Sequence, residues 1–238
     1  SVASRGLGDV YKRQLIISAD LVYDPDALPV GIGVLKTIAL AYIYNYSKTT
    51  IEQFGKDFFF SKMIEGLNNI HSSVLGVYGS VKLRKMVDAA ILMKSKSYEF
   101  KFGNPLYHPH DGHSSVLTSN IFTHADLLGN LYTDCVLQDD GSGVINVVHP
   151  DPIAVGSYAL VYPAVGVVDY SAGKVTLNSK FVPDTSASGS ASFPIVITVE
   201  PEITNIYIDE NRILRINTSY TDSVTVTTTN KTEAEALN

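Results

Sequence analysis

The sequence predicts an α+β protein, with a small two-helix α/β layer followed by a larger antiparallel β-rich domain. Three observations carry that reading. Residues 28–46 form one long apolar run. Residues 58–77 combine a short apolar run with apolar positions at helical spacing. From residue 81 onward the period drops to two, and closely spaced apolar segments alternate with Gly, Asp and Ser turns. The expected boundaries are 15–80 for the α/β segment, 81–230 for the β-rich domain and 231–238 for a frayed tail.

Residues 1–14, SVASRGLGDVYKRQ, share no pattern with the remainder of the chain. The DVYKRQ portion resembles the read-through product of the transposon-end adapter used in sequencing libraries. It has neither the apolar core nor the small-residue cleavage site of a secretory signal. These fourteen residues are expected to lie outside the native protein. The native reading then starts near Leu15, as the C-terminal part of a longer chain.

Residues 15–23, LIISADLVY, read as a strand stopped by Asp24, Pro25 and Asp26. Residues 28–46 read as the first helix, with Pro29 near its first turn, where a missing N–H costs little. Lys36 and the Gly31/Gly33 pair interrupt the run, so a buried helix fits better than a membrane span of about 20 apolar residues. In 58–77, Met63, Ile64, Leu67 and Ile70 share one helical face, while Lys62, Glu65, Asn68 and Asn69 fall on the other. This stretch reads as strand, amphipathic helix, turn, strand. Further β segments are expected at 81–85, 98–102, 116–122, 131–137, 144–148, 157–162, 166–170, 174–178, 195–200, 212–217 and 223–229. Residues 139–143, DDGSG, and 171–173, SAG, are hairpin loops, and 183–192, PDTSASGSAS, is a polar loop.

The 238 residues carry a net charge of −6, which disfavours nucleic acid as a partner. A composition of 45% hydrophobic and 18% charged residues suits a globular chain able to build a core. The one cysteine, Cys135, cannot form an internal disulfide and lies in an apolar strand pattern, which suits a packed thiol and folding under reducing conditions. The 14 Tyr suit interfaces as well as sheet surfaces.

Four of the six histidines lie close together: His108, His110, His113 and His124. With Asp111 they could supply ligands for a divalent metal and hence a metal-dependent enzyme. His-Pro-His-Asp-Gly-His is turn chemistry, however, without the regular spacing of a rigid ligand set. An exposed polar loop or a subunit contact is the preferred reading. Asp139, Asp140 and Asp151 are turn residues without calcium-loop spacing. Gly31-Ile32-Gly33 lacks the third glycine of a dinucleotide fingerprint. Lys82, Arg84 and Lys85 read as a solvated strand face. No catalytic residue, metal or cofactor is assigned. Asn68, Asn69 and His71, on the polar side of the second helix, join His108, His110 and His113 as candidate subunit contacts.

Four stretches then bear on kinship: 58–76 (FFFSKMIEGLNNIHSSVLG), 116–122 (VLTSNIF), 166–178 (GVVDYSAGKVTLN) and 211–217 (NRILRIN). Together they resemble the dimer-forming baseplate wedge family of T-even-like contractile-tail bacteriophages, within the broader baseplate J-like group. Two features depart from the family pattern: His71 stands where members carry a charged pair, and helix 28–46 is more apolar. The resemblance implies a non-enzymatic structural subunit of the virion tail, assembled in the bacterial host cytoplasm. It would homodimerise and pair with other baseplate wedge proteins. The product is a ring around the tail hub that rearranges on sheath contraction. Nucleic acid and membrane are not expected partners. A carbohydrate- or receptor-binding tail module is the alternative that the aromatic β-rich region suggests.

Overall fold

The computed structural model describes residues 12–29, 31–184 and 194–236. Among them the protein is mixed α/β, with four helices and a large, mostly antiparallel β-sheet. The polar stretch 183–192 and the first eleven residues fall largely or wholly outside the described residues. The chain divides into two compact units. The first combines Ser1–Lys82 with Thr204–Asn238, and the second is Leu83–Ile203. Of the stretch 81–230 read as β-rich, the part from Thr204 onward, with its last two strands, belongs to the first unit.

In the first unit, β1 (Lys12–Tyr23) begins ahead of the expected Leu15. Leu15, Ile17, Ala19 and Leu21 alternate inward and are fully or almost fully buried. Arg13 is also buried. Its Nη1 donates to the Tyr207 carbonyl at 3.1 Å, and burial, reinforced by Arg212, pushes its guanidinium down to about 10. β1 pairs in parallel with β11 (Ile213–Ile216) through its first residues and with β12 (Val224–Asn230) through the rest. Its other neighbour is β2 (Val74–Asp88), whose last residues belong to the second unit.

Asp24 caps a short 3-10 turn over Pro25–Ala27. Helix α1 (Ile32–Tyr46) starts three residues after Pro29 and buries Leu35, Ala39 and Ile43 at i, i+4 and i+8. It is apolar nearly all round, yet Ile32 and Val34 stay exposed. It runs into a π turn, Ser47–Ile51. There the buried Ser47 hydroxyl donates to Glu52 Oε1 at 2.8 Å and accepts from the Ile216 N–H at 3.2 Å. Helix α2 (Phe60–Asn68) buries Phe60, Met63 and Leu67. It stops at Asn68, so Ile70 lies beyond it, half-buried. A Cβ at Gly66 would collide with the Tyr42 ring, so glycine is what allows α1 and α2 to approach there. The stretch from Lys231 does not fray at once. It forms α4 (Lys231–Ala236), and Lys231 Nζ lies 2.8 Å from Asp24 Oδ1.

In the second unit, Asp88 caps helix α3 (Ala89–Lys94), accepting from the Ala90 N–H at 2.8 Å. The end of β2 pairs with β10 (Pro194–Val199). From β10 the order runs through β4 (Leu117–Ser119), β6 (Leu131–Asp139), β7 (Val144–Pro150), β8 (Tyr158–Asp169) and β9 (Lys174–Asn178) to β3 (Ser97–Lys101). β5 (Phe122–Ala125) pairs with β6 alone. The expected strand 116–122 is split into β4 and β5, while 157–162 and 166–170 merge into β8. β8 bends at Ala164, at φ 54°, where its register to β7 also shifts.

Candidate functional site

The connection from β3 to β4 carries the histidines and is stitched to its surroundings by backbone bonds. Leu106 N–H donates to the Tyr170 carbonyl at 2.8 Å, Tyr107 N–H to Glu200 at 3.0 Å and Gly112 N–H to Gly141 at 3.0 Å. Gly141 has φ +73°, and a Cβ there would strike the His113 backbone.

His113 is buried, and its Nδ1 lies 2.6 Å from the Ser114 carbonyl, which can only accept. Nδ1 therefore carries a proton. His113 Nε2 sits 2.9 Å from His108 Nδ1. His113 Nε2 is then the acceptor and His108 Nδ1 the donor. His108 Nε2 lies 3.3 Å from Asp111 Oδ1, a contact that forms an ion pair only when the His108 ring carries both protons. The His108 ring also stacks on Tyr170, centroids 4.2 Å apart and planes within 4°.

Beneath the pair lies Asp139, at the end of β6 and buried. Its Oδ1 accepts from the Ser115 hydroxyl at 2.6 Å and from the Val116 and Leu117 N–H groups at 2.9 Å. Its Oδ2 accepts from the Tyr170 hydroxyl at 2.7 Å and the Gly141 N–H at 3.3 Å. Burial, with the Asp139 carboxylate adding to it, holds the Tyr170 hydroxyl well above its ordinary range. Five donors on one buried carboxylate make a structural knot that fixes this loop.

The predicted histidines do not act as one group. His108 and His113 meet, while His110 is exposed and its Nδ1 contacts the Asp111 carbonyl at 3.0 Å. His124, on β5, packs instead against Phe181, Phe122 and Tyr162. Among the described residues no three His, Cys, Asp or Glu side chains gather as metal ligands would. Asn68 and Asn69 are exposed at the end of α2, and Asn69 Nδ2 donates to the Glu65 carbonyl at 2.7 Å. His71 is half-buried, its Nδ1 accepting from the Ser73 N–H at 3.1 Å and lying 2.8 Å from the Ser73 hydroxyl. Asn69 and His71 thus serve the local turn.

Two features went unnoticed in the sequence. The first is an apolar end of the second unit. The turn before β6 and the turn after β7 fall at the same end of that antiparallel pair. There Leu128 is 88% exposed, Ile153 92% and Val155 100%, with Leu127 and Leu131 beside them. Residues 102–173 have seven Asp and not one Lys or Arg, and three of those acids, Asp126, Asp134 and Asp151, fall at this end of the strands. The charge pattern was readable in advance, but the convergence of two turns needed the register.

The second is a cleft of about 520 Å³ in the first unit, where the π turn meets the entry to α2. Tyr46 and Phe59 supply rings, Thr50 and Gln53 polar groups, and Lys56 and Lys62 its charge. Lys62 Nζ sits 5.0 Å from the Phe59 ring centroid. Asp57, also on the cleft, is engaged by the Ile208 N–H at 2.9 Å. Among the described residues, neither Lys56 nor Lys62 pairs with a carboxylate.

No family model and no curated protein matches the chain. Among the described residues no helix is long and apolar enough to cross a membrane.

Proposed function

We propose that this chain is a self-associating structural subunit: the wedge protein of a contractile-tail bacteriophage baseplate, building the ring around the tail hub that rearranges on sheath contraction. The observation that carries self-association is the apolar end of the second unit. Leu128, Ile153 and Val155 protrude on hairpin turns, next to Leu127 and Leu131. Contiguous exposed apolar side chains rimmed by polar ones mark a surface that another molecule covers. The choice of assembly rests on the resemblance of the stretches 58–76, 116–122, 166–178 and 211–217. In this reading α1 and α2 form the two-helix layer of the family segment. The protein works in the virion tail, as a homodimer and with other wedge proteins. The His108–His113 loop serves as a rigid, non-catalytic contact.

The test is static light scattering of the full chain at tens of micromolar. Association beyond the monomer is expected, and a strict monomer defeats the reading. Sheath and wedge genes beside the coding sequence on its source contig would select the baseplate among assemblies. Their absence from a complete neighbourhood would count against it.

A further inference from the structure

The exposed hairpin turns carry aliphatic side chains beside acids, the cleft offers two rings beside two lysines, and both belong to every copy of the chain. We propose that the β7–β8 turn of one copy seats in the Lys56/Lys62 cleft of a second copy, giving a head-to-tail contact. This rests on the self-association reading and names its surfaces.

The turn is a protrusion. Between β7 and β8 it presents Ile153 and Val155, the two most exposed large apolar side chains of the second unit. Asp151 holds it in shape, its Oδ1 accepting from the Ile153 N–H at 2.8 Å and the Ala154 N–H at 3.2 Å. Those bonds hold the Asp151 carboxyl below the usual carboxylate range, so the turn keeps its negative charge. A turn already fixed by its own bonds loses little freedom on docking.

The cleft is a concavity with aromatic walls for aliphatic side chains, and its two lysines lack carboxylate partners within the described chain. The imbalance extends beyond the cleft. Residues 31–62 carry four Lys against two acids, Glu52 and Asp57. The end with the two turns carries Asp126, Asp134 and Asp151, and residues 120–165 have no Lys or Arg. An anionic lipid surface would repel that acidic end. A site that offers rings to the aliphatic side chains and lysines to the acids suits it, and the cleft holds Tyr46 and Phe59 beside Lys56 and Lys62. Turn and cleft are different surfaces, so the contact closes a homodimer where two copies exchange turns reciprocally and otherwise continues as a ring or a filament, according to the rotation it imposes.

The test uses the full chain and two variants. One carries Ile153→Ser with Val155→Ser, the other Lys56→Glu with Lys62→Glu; circular dichroism verifies that each stays folded, as expected for exposed positions. Light scattering should show the wild type associating, less so in high salt. Each variant alone should be monomeric, with affinity reduced at least tenfold. A one-to-one mixture should form discrete dimers, because the second variant keeps its turn and the first keeps its cleft. Association of either variant alone at wild-type strength overturns the proposal while leaving self-association standing. A mixture that stays monomeric also overturns it. A monomeric wild type sinks both readings. If that monomer instead binds oligogalacturonate in a way that Lys56→Glu with Lys62→Glu removes, the cleft belongs to an acidic saccharide.

Discussion

The Tyr170 hydroxyl donates to Asp139 Oδ2 at 2.7 Å, joining the end of β8 to the end of β6 beneath the histidine loop. Removing one donor or the acceptor has unequal consequences. Tyr170→Phe leaves Asp139 with four other donors and should lower the unfolding free energy by about 1–2 kcal/mol. Asp139→Ala strands the Tyr170, Val116, Leu117 and Gly141 donors, while the Ser115 hydroxyl keeps the Leu117 carbonyl at 2.7 Å, and should cost about 3 kcal/mol or more. Urea denaturation of both variants checks the order. Equal losses would mean that the carboxylate is not the centre of the knot.

His124 is buried, and among the described residues its Nε2 has no hydrogen-bond partner. Its Nδ1 lies 2.6 Å from the Ala125 carbonyl. Desolvation lowers its pKa in the fold, outweighing that bond. A group whose folded pKa is depressed is penalised once the unfolded chain begins to protonate. Stability should therefore be unaffected well above the ordinary histidine value and fall as pH drops through it. His124→Phe keeps the ring packing and should flatten that acid limb in thermal melts taken across the range. An unchanged limb would assign it elsewhere.

Cys135 is buried on β6, and burial pushes its thiol up to about 11. The thiolate is the reactive form, so alkylation by iodoacetamide near neutral pH should be slow in the folded protein and fast in denaturant. Mass spectrometry follows the adduct. Rapid modification without denaturant would contradict the burial.

Lys231 Nζ spans Asp24 Oδ1 at 2.8 Å and Asp26 Oδ2 at 3.3 Å, tying α4 to the turn after β1. The Lys231 hydrogen bond lowers the Asp24 pKa, and the Asp24 bond raises that of Lys231. The tether should hold between the two ordinary ranges. It weakens as acid protonates Asp24 and again as base discharges Lys231. Lys231→Ala should increase hydrogen exchange in α4 at neutral pH without changing the core. High salt should partly reproduce the effect, since both side chains of the pair stay partly open to solvent.

The local elements were legible where side-chain period and turn chemistry agree. β9 (Lys174–Asn178) falls where the alternation of Val175 and Leu177 puts it. The helix around Met63 and Leu67 follows from their four-residue spacing. What stayed hidden depends on distant partners. Ser47 reads as a linker residue, yet it is buried because its hydroxyl serves Glu52 and the Ile216 N–H. α3, Ala89–Lys94, has six residues, less than two turns, too brief for a helical period to register. At the candidate site, His108 and His113 are close in sequence and their pairing was open to inference. Asp139 and Tyr170 were not, since they are 31 positions apart and meet only through the register of β6 to β9.

The parallel pairing of β1 with β12, Tyr23 opposite Asn230, has a consequence for the order of synthesis. The ribosome delivers one half of that ladder about two hundred residues before the other. Every contact internal to Leu83–Ile203 can form first, while β1 waits with one edge bare. Loop-closure entropy is reduced once the intervening segment is compact, so a folded second unit speeds completion of the first. A nascent chain arrested short of β11 should therefore display a native-like second unit. It should also need a chaperone for β1.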